Sequence, residues 1–318
     1  MNQSSHPRPK IAISCGDING VGLEILLKSH QAILDQVEPI YCVHFELLQQ
    51  ASQRLNLPMP DTLKPTHCLP PPAPIPQITP SLISKESGLY SYESFILACT
   101  LCETHAAQAI TTLPIHKKAW NLAGITEIGH TEALSKRYKQ KGIMMLGCEK
   151  MFVALFSDHI PLKEVASHIK QEDLQRFFVR LFQSLKAQKY CVMGLNPHCG
   201  DGGIIGDEDS IIAQAIKESN AWLGGDYFVG PIPCDCAFIP SKRQEFQIWV
   251  GMYHDIALST LKALYFDESI NVTLGIDILR TSVDHGVAFD IAYSNQAKTR
   301  SYLNAIAYAK TLIHQKEH

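Results

Sequence analysis

The chain has 318 residues, of which 46% are hydrophobic and 19% are charged, so it is long enough to bury a substantial core and too apolar to be disordered. Its 28 Lys and Arg nearly balance its 31 Asp and Glu, and the net charge of -3 argues against a protein that binds nucleic acid by neutralising the phosphate backbone. The polar first residues and the lack of an apolar run of about 20 residues predict a cytoplasmic protein without a signal peptide or membrane contact.

Short β-rich runs alternate with helical patterns along the chain, which is typical of a parallel α/β sheet. The predicted strands are, in chain order, Ile11 to Ser14, Ala109 to Thr112, Phe152 to Ser157, Cys191 to Leu195, Ile248 to Met252 and Val272 to Leu274. The predicted helices are Tyr92 to Gln108, Glu172 to Gln188, Glu208 to Asn220 and Thr299 to Gln315. Each helix has apolar residues three and four positions apart on one side only, so each is expected to cover a face of a sheet.

A proline-rich stretch separates the early elements from the first long predicted helix. Half of the 18 prolines lie between Pro58 and Pro80, and such a segment cannot be helical. An extended connector is therefore predicted. Composition alone leaves open whether this connector links two domains or crosses the surface of one domain.

Three histidines each follow the end of a predicted strand by a few residues: His159, His198 and His254. The carboxyl ends of parallel strands lie on one edge of a sheet, where α/β proteins bind ligands. Three neutral imidazoles with an open fourth position suit a catalytic divalent transition metal, and the neighbouring Asp158 and Asp255 would orient or supplement the ligands. Histidines that only form structural hydrogen bonds in loops give the same pattern, so both interpretations stay open at this stage.

Five short segments are together much more specific than any one of them. They are Gly129 to Glu132, Gly194 to His198, Met252 to Asp255, Asn271 to Gly275 and Arg280 to Gly286. In this order they resemble the signature segments of the 4-hydroxythreonine-4-phosphate dehydrogenase family. The resemblance extends from Ile11 to about Gln315 and is weakest in the proline-rich stretch.

The resemblance implies a homodimer of two-domain α/β subunits, related in fold to isocitrate and isopropylmalate dehydrogenases. Mainly parallel sheets and an active site in a cleft between the domains are expected, with the site shared across the dimer. The first domain is expected to contain residues 1–125 and 287–318, and the second to contain residues 126–286 with most of the metal and substrate residues.

The resemblance also assigns residues. His159, His198 and His254 match the family's metal ligands, the first two expected from one subunit and the third from its partner. The residues that match its substrate-binding positions are His130, Thr131, Lys262, Asn271 and Arg280. Lysine and arginine supply charge for a phosphate or carboxylate, and residues at a helix start add hydrogen bonds. Taken singly, each residue favours an ordinary explanation, which is a surface ion pair for Arg280 and a helix cap for Thr131.

The implied activity is the oxidation of 4-phosphohydroxy-L-threonine at its C3 hydroxyl with NAD or NADP, followed by decarboxylation to 3-amino-2-oxopropyl phosphate in pyridoxal 5'-phosphate biosynthesis. Zinc is the first choice of metal, with magnesium and cobalt as alternatives. The nucleotide is expected against Gly275 to Ala292, as the family's relation to isopropylmalate dehydrogenase implies. The loop at residues 16–22 lacks the spacing of a dinucleotide-binding motif and is expected to have a structural or substrate-side role. Lys262, Asp255 and a metal-bound water are the candidates for the base.

Two segments depart from the family pattern. Residues 16–22 read Gly-Asp-Ile-Asn-Gly-Val-Gly where family members usually have Gly-Glu-Pro-Ala-Gly-Ile-Gly, and residues 113–117 read Leu-Pro-Ile-His-Lys where Gly-Pro-Ile-Asn-Lys is usual. The second change brings Leu113 and His116 next to the expected cleft. Two other functions therefore stay open: a dehydrogenase of threonate or erythronate 4-phosphate, and a non-redox phosphate-ligand protein of the same fold.

Overall fold

The computed structural model describes residues 7–187 and 189–317, and the chain divides into two compact units. The first unit consists of the described residues up to Gln140 and from Ile276 onward, and the second is Lys141–Gly275. These boundaries differ from the expected ones at residues 125 and 286. Non-local packing accounts for the difference, because the helix that begins at His130 packs on Trp120 and the strand that contains Arg280 pairs within the first unit.

The first unit contains a parallel sheet with the strand order β2-β1-β3-β10, numbered in chain order through both units. Its strands are β1 (Lys10–Ser14), β2 (Glu38–Cys42), β3 (Ala109–Thr112) and β10 (Leu279–Val283). Every residue of β3 and β10 is buried, as expected for strands of a sheet that is covered on both faces.

Helices cover this sheet. They are α1 (Gly22–Leu34), α2 (Phe45–Leu55), α3 (Lys85–Glu103), α4 (Lys117–Leu122), α5 (His130–Tyr138) and α11 (Arg300–Glu317). The long helix α3 begins where Ser84 Oγ accepts the backbone N–H of Ser87 at 3.1 Å, which satisfies one of the free N–H groups of the first turn. It packs on β1 and α4, and its Phe95 joins Trp120 in the core of this unit.

The second unit contains a mixed sheet with the order β9-β4-β5-β8-β6-β7. Its strands are β4 (Ile143–Cys148), β5 (Met151–Leu155), β6 (Tyr190–Met193), β7 (Phe228–Ile232), β8 (Ile248–Gly251) and β9 (Ile270–Leu274). From β5 to β7 neighbouring strands are parallel, whereas β4 is antiparallel to both of its neighbours. The helices are α6 (Leu162–His168), α7 (Gln171–Leu185), α8 (Glu208–Leu223), α9 (Pro240–Glu245) and α10 (His254–Tyr265).

One arginine of α7 binds both ends of the second unit. The Arg180 guanidinium donates to the carbonyl oxygen of Gly275 at 2.7 Å and to the carbonyl oxygen of Lys141. Nearby, Ile143 at the start of β4 pairs with Leu274 at the end of β9. The points at which the chain enters and leaves this unit are therefore neighbours.

The predicted α/β fold with mainly parallel sheets is confirmed. Each predicted strand and helix is present, and most bounds agree within a few residues. The exceptions are α3, which begins at Lys85 and ends at Glu103 where Tyr92 and Gln108 were predicted, and the predicted helix end at Gln188, which lies outside the described residues. The proline-rich stretch falls between α2 and α3 inside the first unit, so it crosses one unit and does not link two. In the part of the chain that the structure describes, no helix is long and apolar enough to cross a membrane.

Candidate active site

The strands that precede the candidate metal ligands lie side by side. β8 pairs in parallel with β5 on one side and with β6 on the other. Their carboxyl ends therefore meet at one edge of the sheet, and His159, His198 and His254 follow these ends. This placement of the three loops is the one that the sequence predicts.

Two of the three histidines are neighbours in one chain. The rings of His159 and His254 have centroids 5.8 Å apart and are inclined by 36°. Hydrogen bonds hold their loops together, because both the hydroxyl and the backbone N–H of Ser157 donate to the carbonyl oxygen of Met252, at 2.6 and 3.3 Å. The resemblance assigns these two histidines to different subunits, and their rings are also adjacent within one chain.

A carboxylate orients one ring of this pair. His254 Nδ1 lies 2.7 Å from Asp255 Oδ1. When Nδ1–H donates to that carboxylate, the lone pair of Nε2 is left to bind a metal, which is the usual arrangement of metal-binding histidines in proteins. The donor set of His159 and His254 therefore fits a divalent transition metal.

Among the described residues, His198 does not complete a three-ligand group with this pair. It is exposed and belongs to the turn Pro197–Gly203, which follows β6. Within residues 7–187 and 189–317, no group of three or more His, Cys, Asp or Glu side chains is arranged to hold a metal ion. A single chain thus supplies two adjacent imidazoles, and the third predicted ligand is not grouped with them.

The first unit contains a buried cation beside a buried histidine. Arg280 of β10 is only 3% exposed, and its Nη2 and Nε donate to Thr112 Oγ1 at 2.9 and 3.2 Å. Its Nη2 also lies 3.4 Å from Nδ1 of His130, the first residue of α5. Burial lowers the pKa of Arg280 to about 10, which still leaves the guanidinium charged at neutral pH.

His130 is neutral in these surroundings. Burial and then the charge of Arg280 hold the pKa of His130 well below its ordinary value. Phe95 and Trp120 enclose the ring, with centroid distances of 4.9 and 5.4 Å. Because Nδ1 faces the N–H of Arg280, the proton of the neutral ring belongs on Nε2, and this buried atom has no hydrogen-bond partner among the described residues. An acceptor such as a phosphate or carboxylate oxygen would satisfy it.

The other predicted substrate residues are divided between the units. Thr131 is the second residue of α5 in the first unit and is partly exposed. In the second unit, Lys262 of α10 is half-buried with Nζ 5.1 Å from the ring centroid of Phe266. Asn271 of β9 has a buried Oδ1 atom for which the described part of the chain offers no donor.

The two segments that depart from the family pattern pack against each other in the first unit. The backbone N–H of Asp17 donates to the carbonyl oxygen of Pro114 at 2.8 Å. Gly16 has φ +67°, and a Cβ there would lie 2.3 Å from the same oxygen, so only glycine fits this close approach. His116 stacks on Phe289, with centroids 5.1 Å apart and planes inclined by 13°. A residue that departs from the family pattern thus contacts the segment expected to bind the nucleotide.

Thr112 is a residue of this region that sequence reasoning missed. It ends the buried strand β3 and holds Arg280 through its hydroxyl. A threonine at the end of a β-branched run gives no separate signal, because threonine is common in strands. Its role depends on the pairing of β3 with β10, which joins residues far apart in sequence.

Residues 25–309 match the model of the family described as pyridoxal phosphate biosynthetic protein PdxA. The chain belongs to the PdxA family. It is similar to 4-hydroxythreonine-4-phosphate dehydrogenase of Sulfurimonas denitrificans, with 50% identity over 303 residues that cover 95% of this chain and 97% of that one. The enzyme of the same name from Helicobacter acinonychis is 50% identical over 305 residues, with coverage of 95% and 98%.

A solved PdxA-type structure shares the fold. The crystal structure of 4-hydroxythreonine-4-phosphate dehydrogenase from Klebsiella pneumoniae superposes with a TM-score of 0.81 at 27% identity and covers 97% of this chain and 99% of that one. Membership of the PdxA family, expected from the five signature segments, is therefore confirmed.

Proposed function

We propose that this chain is a 4-hydroxythreonine-4-phosphate dehydrogenase of pyridoxal 5'-phosphate biosynthesis. In this reaction the C3 hydroxyl of 4-phosphohydroxy-L-threonine is oxidised with NAD or NADP, and the resulting keto acid loses carbon dioxide to give 3-amino-2-oxopropyl phosphate. The observation that carries the proposal is the 50% identity, over nearly the whole of both chains, to a relative named for this activity. The ketone lies β to the carboxylate, so oxidation itself prepares the decarboxylation.

Metal binding is assigned to the histidines at the sheet edge. His159 and His254 are adjacent. Asp255 bonds to Nδ1 of His254, which leaves Nε2 of the same ring available to a metal. His198 is proposed as the third ligand, contributed across a homodimer so that the site is shared between subunits. When bound, a divalent metal, with zinc first and magnesium or cobalt as alternatives, supplies Lewis-acid stabilisation of negative charge, and the nicotinamide accepts the hydride.

Substrate binding is assigned to groups that favour an anion. The charged fork of Arg280 and the Nε2–H of His130 are buried donors that suit a phosphate or carboxylate. Thr131 at the start of α5, with Lys262 and Asn271 of the second unit, completes the proposed set. Asp255 is assigned to orienting His254, which leaves Lys262 as the side-chain candidate for the base that accepts the hydroxyl proton.

The nucleotide is proposed to bind against Gly275 to Ala292. This assignment is supported by the flat pair of rings that His116 and Phe289 form in the first unit, since stacked rings of this kind provide an apolar surface for a heteroaromatic base.

A substrate panel tests the proposed reaction. With 4-phosphohydroxy-L-threonine as substrate, we expect reduced nicotinamide to form, which its absorbance measures, and carbon dioxide to be released. The related dehydrogenase alternative predicts faster turnover of threonate 4-phosphate or erythronate 4-phosphate, which lack the substrate amine. A pure, metal-supplemented protein that reduces neither NAD nor NADP with any of these would indicate the non-redox alternative.

Removal of the anion-binding charges is expected to weaken substrate binding selectively. In Lys262→Ala and Arg280→Ala, the Michaelis constant for the phosphorylated substrate should rise by about 10-fold to 100-fold, which corresponds to the roughly 1.5 to 3 kcal/mol of a charge-assisted hydrogen bond. The Michaelis constant for NAD should change little. Steady-state kinetics with each substrate varied in turn measure both effects.

Lys150→Ala is a suitable control for these variants. Lys150 is a lysine of the second unit that is paired with Glu268 at the surface. Its removal should leave both Michaelis constants unchanged, because exposed ion pairs contribute little. Since Arg280 is buried, circular dichroism must first establish that its variant is folded. An unchanged Michaelis constant for the phosphorylated substrate in Lys262→Ala would contradict the assignment of Lys262 to substrate binding, whatever the result for Arg280→Ala.

A further inference from the structure

The turn that contains His198 has an unusual backbone. Every residue from His198 to Gly203 has a positive φ, with values of 53°, 54°, 77°, 44°, 68° and 95° in order. His198, Cys199 and Asp201 are not glycine, and each such residue costs about 1 kcal/mol or more in the left-handed region. A run of this kind persists only where surrounding contacts hold it, so the contacts around the turn identify what sets the direction of His198.

Backbone bonds close the turn itself, including Cys199 N–H to the carbonyl oxygen of Asn196 at 3.0 Å, and one buried carboxylate holds the two residues that precede it. Asp209, in the first turn of α8, is 3% exposed. Its Oδ1 accepts the backbone N–H of Leu195 at 2.8 Å, and its Oδ2 accepts the backbone N–H and the side-chain Nδ2 of Asn196, both at 3.0 Å. Three N–H groups and the positive end of α8 compensate the buried charge. The carboxylate therefore fixes the two residues that lead into the turn.

Glycines allow the chain to close around this carboxylate. A Cβ on Gly194 would lie 2.6 Å from Asp209 Oδ1 and 2.7 Å from Cys199 Sγ. A Cβ on Gly206 would lie 2.5 Å from Asn196 Nδ2. All three distances are shorter than real Cβ contacts, so the strand end, the turn and the helix start pack closely around the carboxylate.

We propose that Asp209 is a positioning residue for metal binding, which acts by fixing the left-handed turn so that the imidazole of His198 is held in the direction that a metal requires. The inference rests on the metal role proposed for His198. Asp209 itself is enclosed by backbone and is assigned no contact with metal or substrate. Its effect on the metal is transmitted through the chain from Asn196 to His198.

The test is a titration of the metal-free full chain with Co²⁺, whose visible absorption reports both affinity and ligand geometry. Asp209→Asn keeps the size of the side chain but replaces one acceptor oxygen by an NH2 group, which cannot accept a backbone N–H. Co²⁺ affinity is expected to fall by about 10-fold to 100-fold, the range found when a group that orients a ligand is removed. The shape of the visible spectrum is expected to change as well.

Glu208→Gln is the matched control. Glu208 is adjacent in sequence and also bonds to Asn196, but only to its side-chain Nδ2, at 2.8 Å. Glutamine keeps an oxygen that accepts this bond and leaves the backbone N–H groups of residues 195 and 196 on Asp209. Co²⁺ affinity and spectrum should match those of the unaltered chain.

A double-mutant cycle separates positioning from general damage. His198→Ala should weaken Co²⁺ binding, and adding Asp209→Asn to it should cause no further loss if Asp209 acts through His198. An equal further loss, or native affinity and spectrum in Asp209→Asn alone, would overturn the inference. Native Co²⁺ binding by His198→Ala would instead refute the metal role on which it rests. If Asp209→Asn does not fold, Asn196→Ala provides the test, with a smaller loss expected in the same direction.

Discussion

Exhaustive removal of divalent metal is expected to abolish the dehydrogenase activity of this chain, and added metal is expected to restore it. The physical reason is the donor set at the edge of the second sheet, where His159 and His254 are adjacent and Asp255 fixes one of them. Loss of a Lewis acid removes several kcal/mol of charge stabilisation, which corresponds to a fall in rate of about 1000-fold or more. Turnover before and after chelation, with metal content determined on the same samples, measures the effect.

His254→Ala provides the control for metal removal. This variant should lack activity whether or not metal is supplied, while its melting temperature in the metal-free state should stay close to that of the metal-free parent, because His254 is partly exposed. Zinc, magnesium and cobalt added separately to the metal-free parent identify which ion restores turnover. Full activity in a preparation verified as metal-free would contradict the metal assignment.

The second large effect is expected when inactive subunits are mixed. His198→Ala and His254→Ala should each be inactive as homodimers. If His198 reaches the site of the partner subunit, a mixed dimer has one site with both lesions and one site with neither, so about half of the normal sites return, as two-fold symmetry requires. Activity measured after subunit exchange, with the mixed dimer quantified, tests this expectation. Proven exchange without recovered activity would refute the shared site.

A second mixture decides which ligands one subunit supplies. The 5.8 Å ring separation favours His159 and His254 from one chain. A mixture of His159→Ala and His254→Ala should then stay inactive, because each site keeps one lesion. Recovery in this mixture would support the other division, in which His159 and His254 come from different subunits.

Local patterns in the sequence predicted much of the fold. β1, β3 and β8 are apolar and β-branched runs bounded by polar loops, and α7 and α8 have one apolar face, so periodicity alone identified them. β10 was not predicted, because the polar run of Arg280, Thr281 and Ser282 is typical of a loop. They are buried because partners on β3 satisfy them, including Thr111 Oγ1, which lies 2.9 Å from Thr281 Oγ1. No local pattern contains those pairings.

The candidate site shows the same division. The positions of the three histidine loops were predicted from the ends of the strands that precede them. The family resemblance supplied the roles proposed for these histidines. The close approach of His159 to His254 and the neutral state of His130 depend on contacts between residues distant in sequence. Asp209 has an ordinary local signal, an acid in the first turn of a helix, which gives no indication that its carboxylate faces the preceding loop.

The two hydrogen bonds of Arg180 have a consequence for how the second unit is connected to the rest of the chain. Because one guanidinium binds the carbonyl oxygens of Lys141 and Gly275, the second unit begins and ends at the same place. In the first unit, Gln140 Nε2 donates to Asp277 Oδ1 at 2.9 Å, so the two ends of the gap in that unit are neighbours too. This is the geometry of one coding segment inserted into another, since a unit whose ends are adjacent can occupy a loop without disturbing the chain on either side. The coding segment for residues 141–275 can accordingly be transferred, duplicated or exchanged as one module, with only two junctions to the rest of the chain.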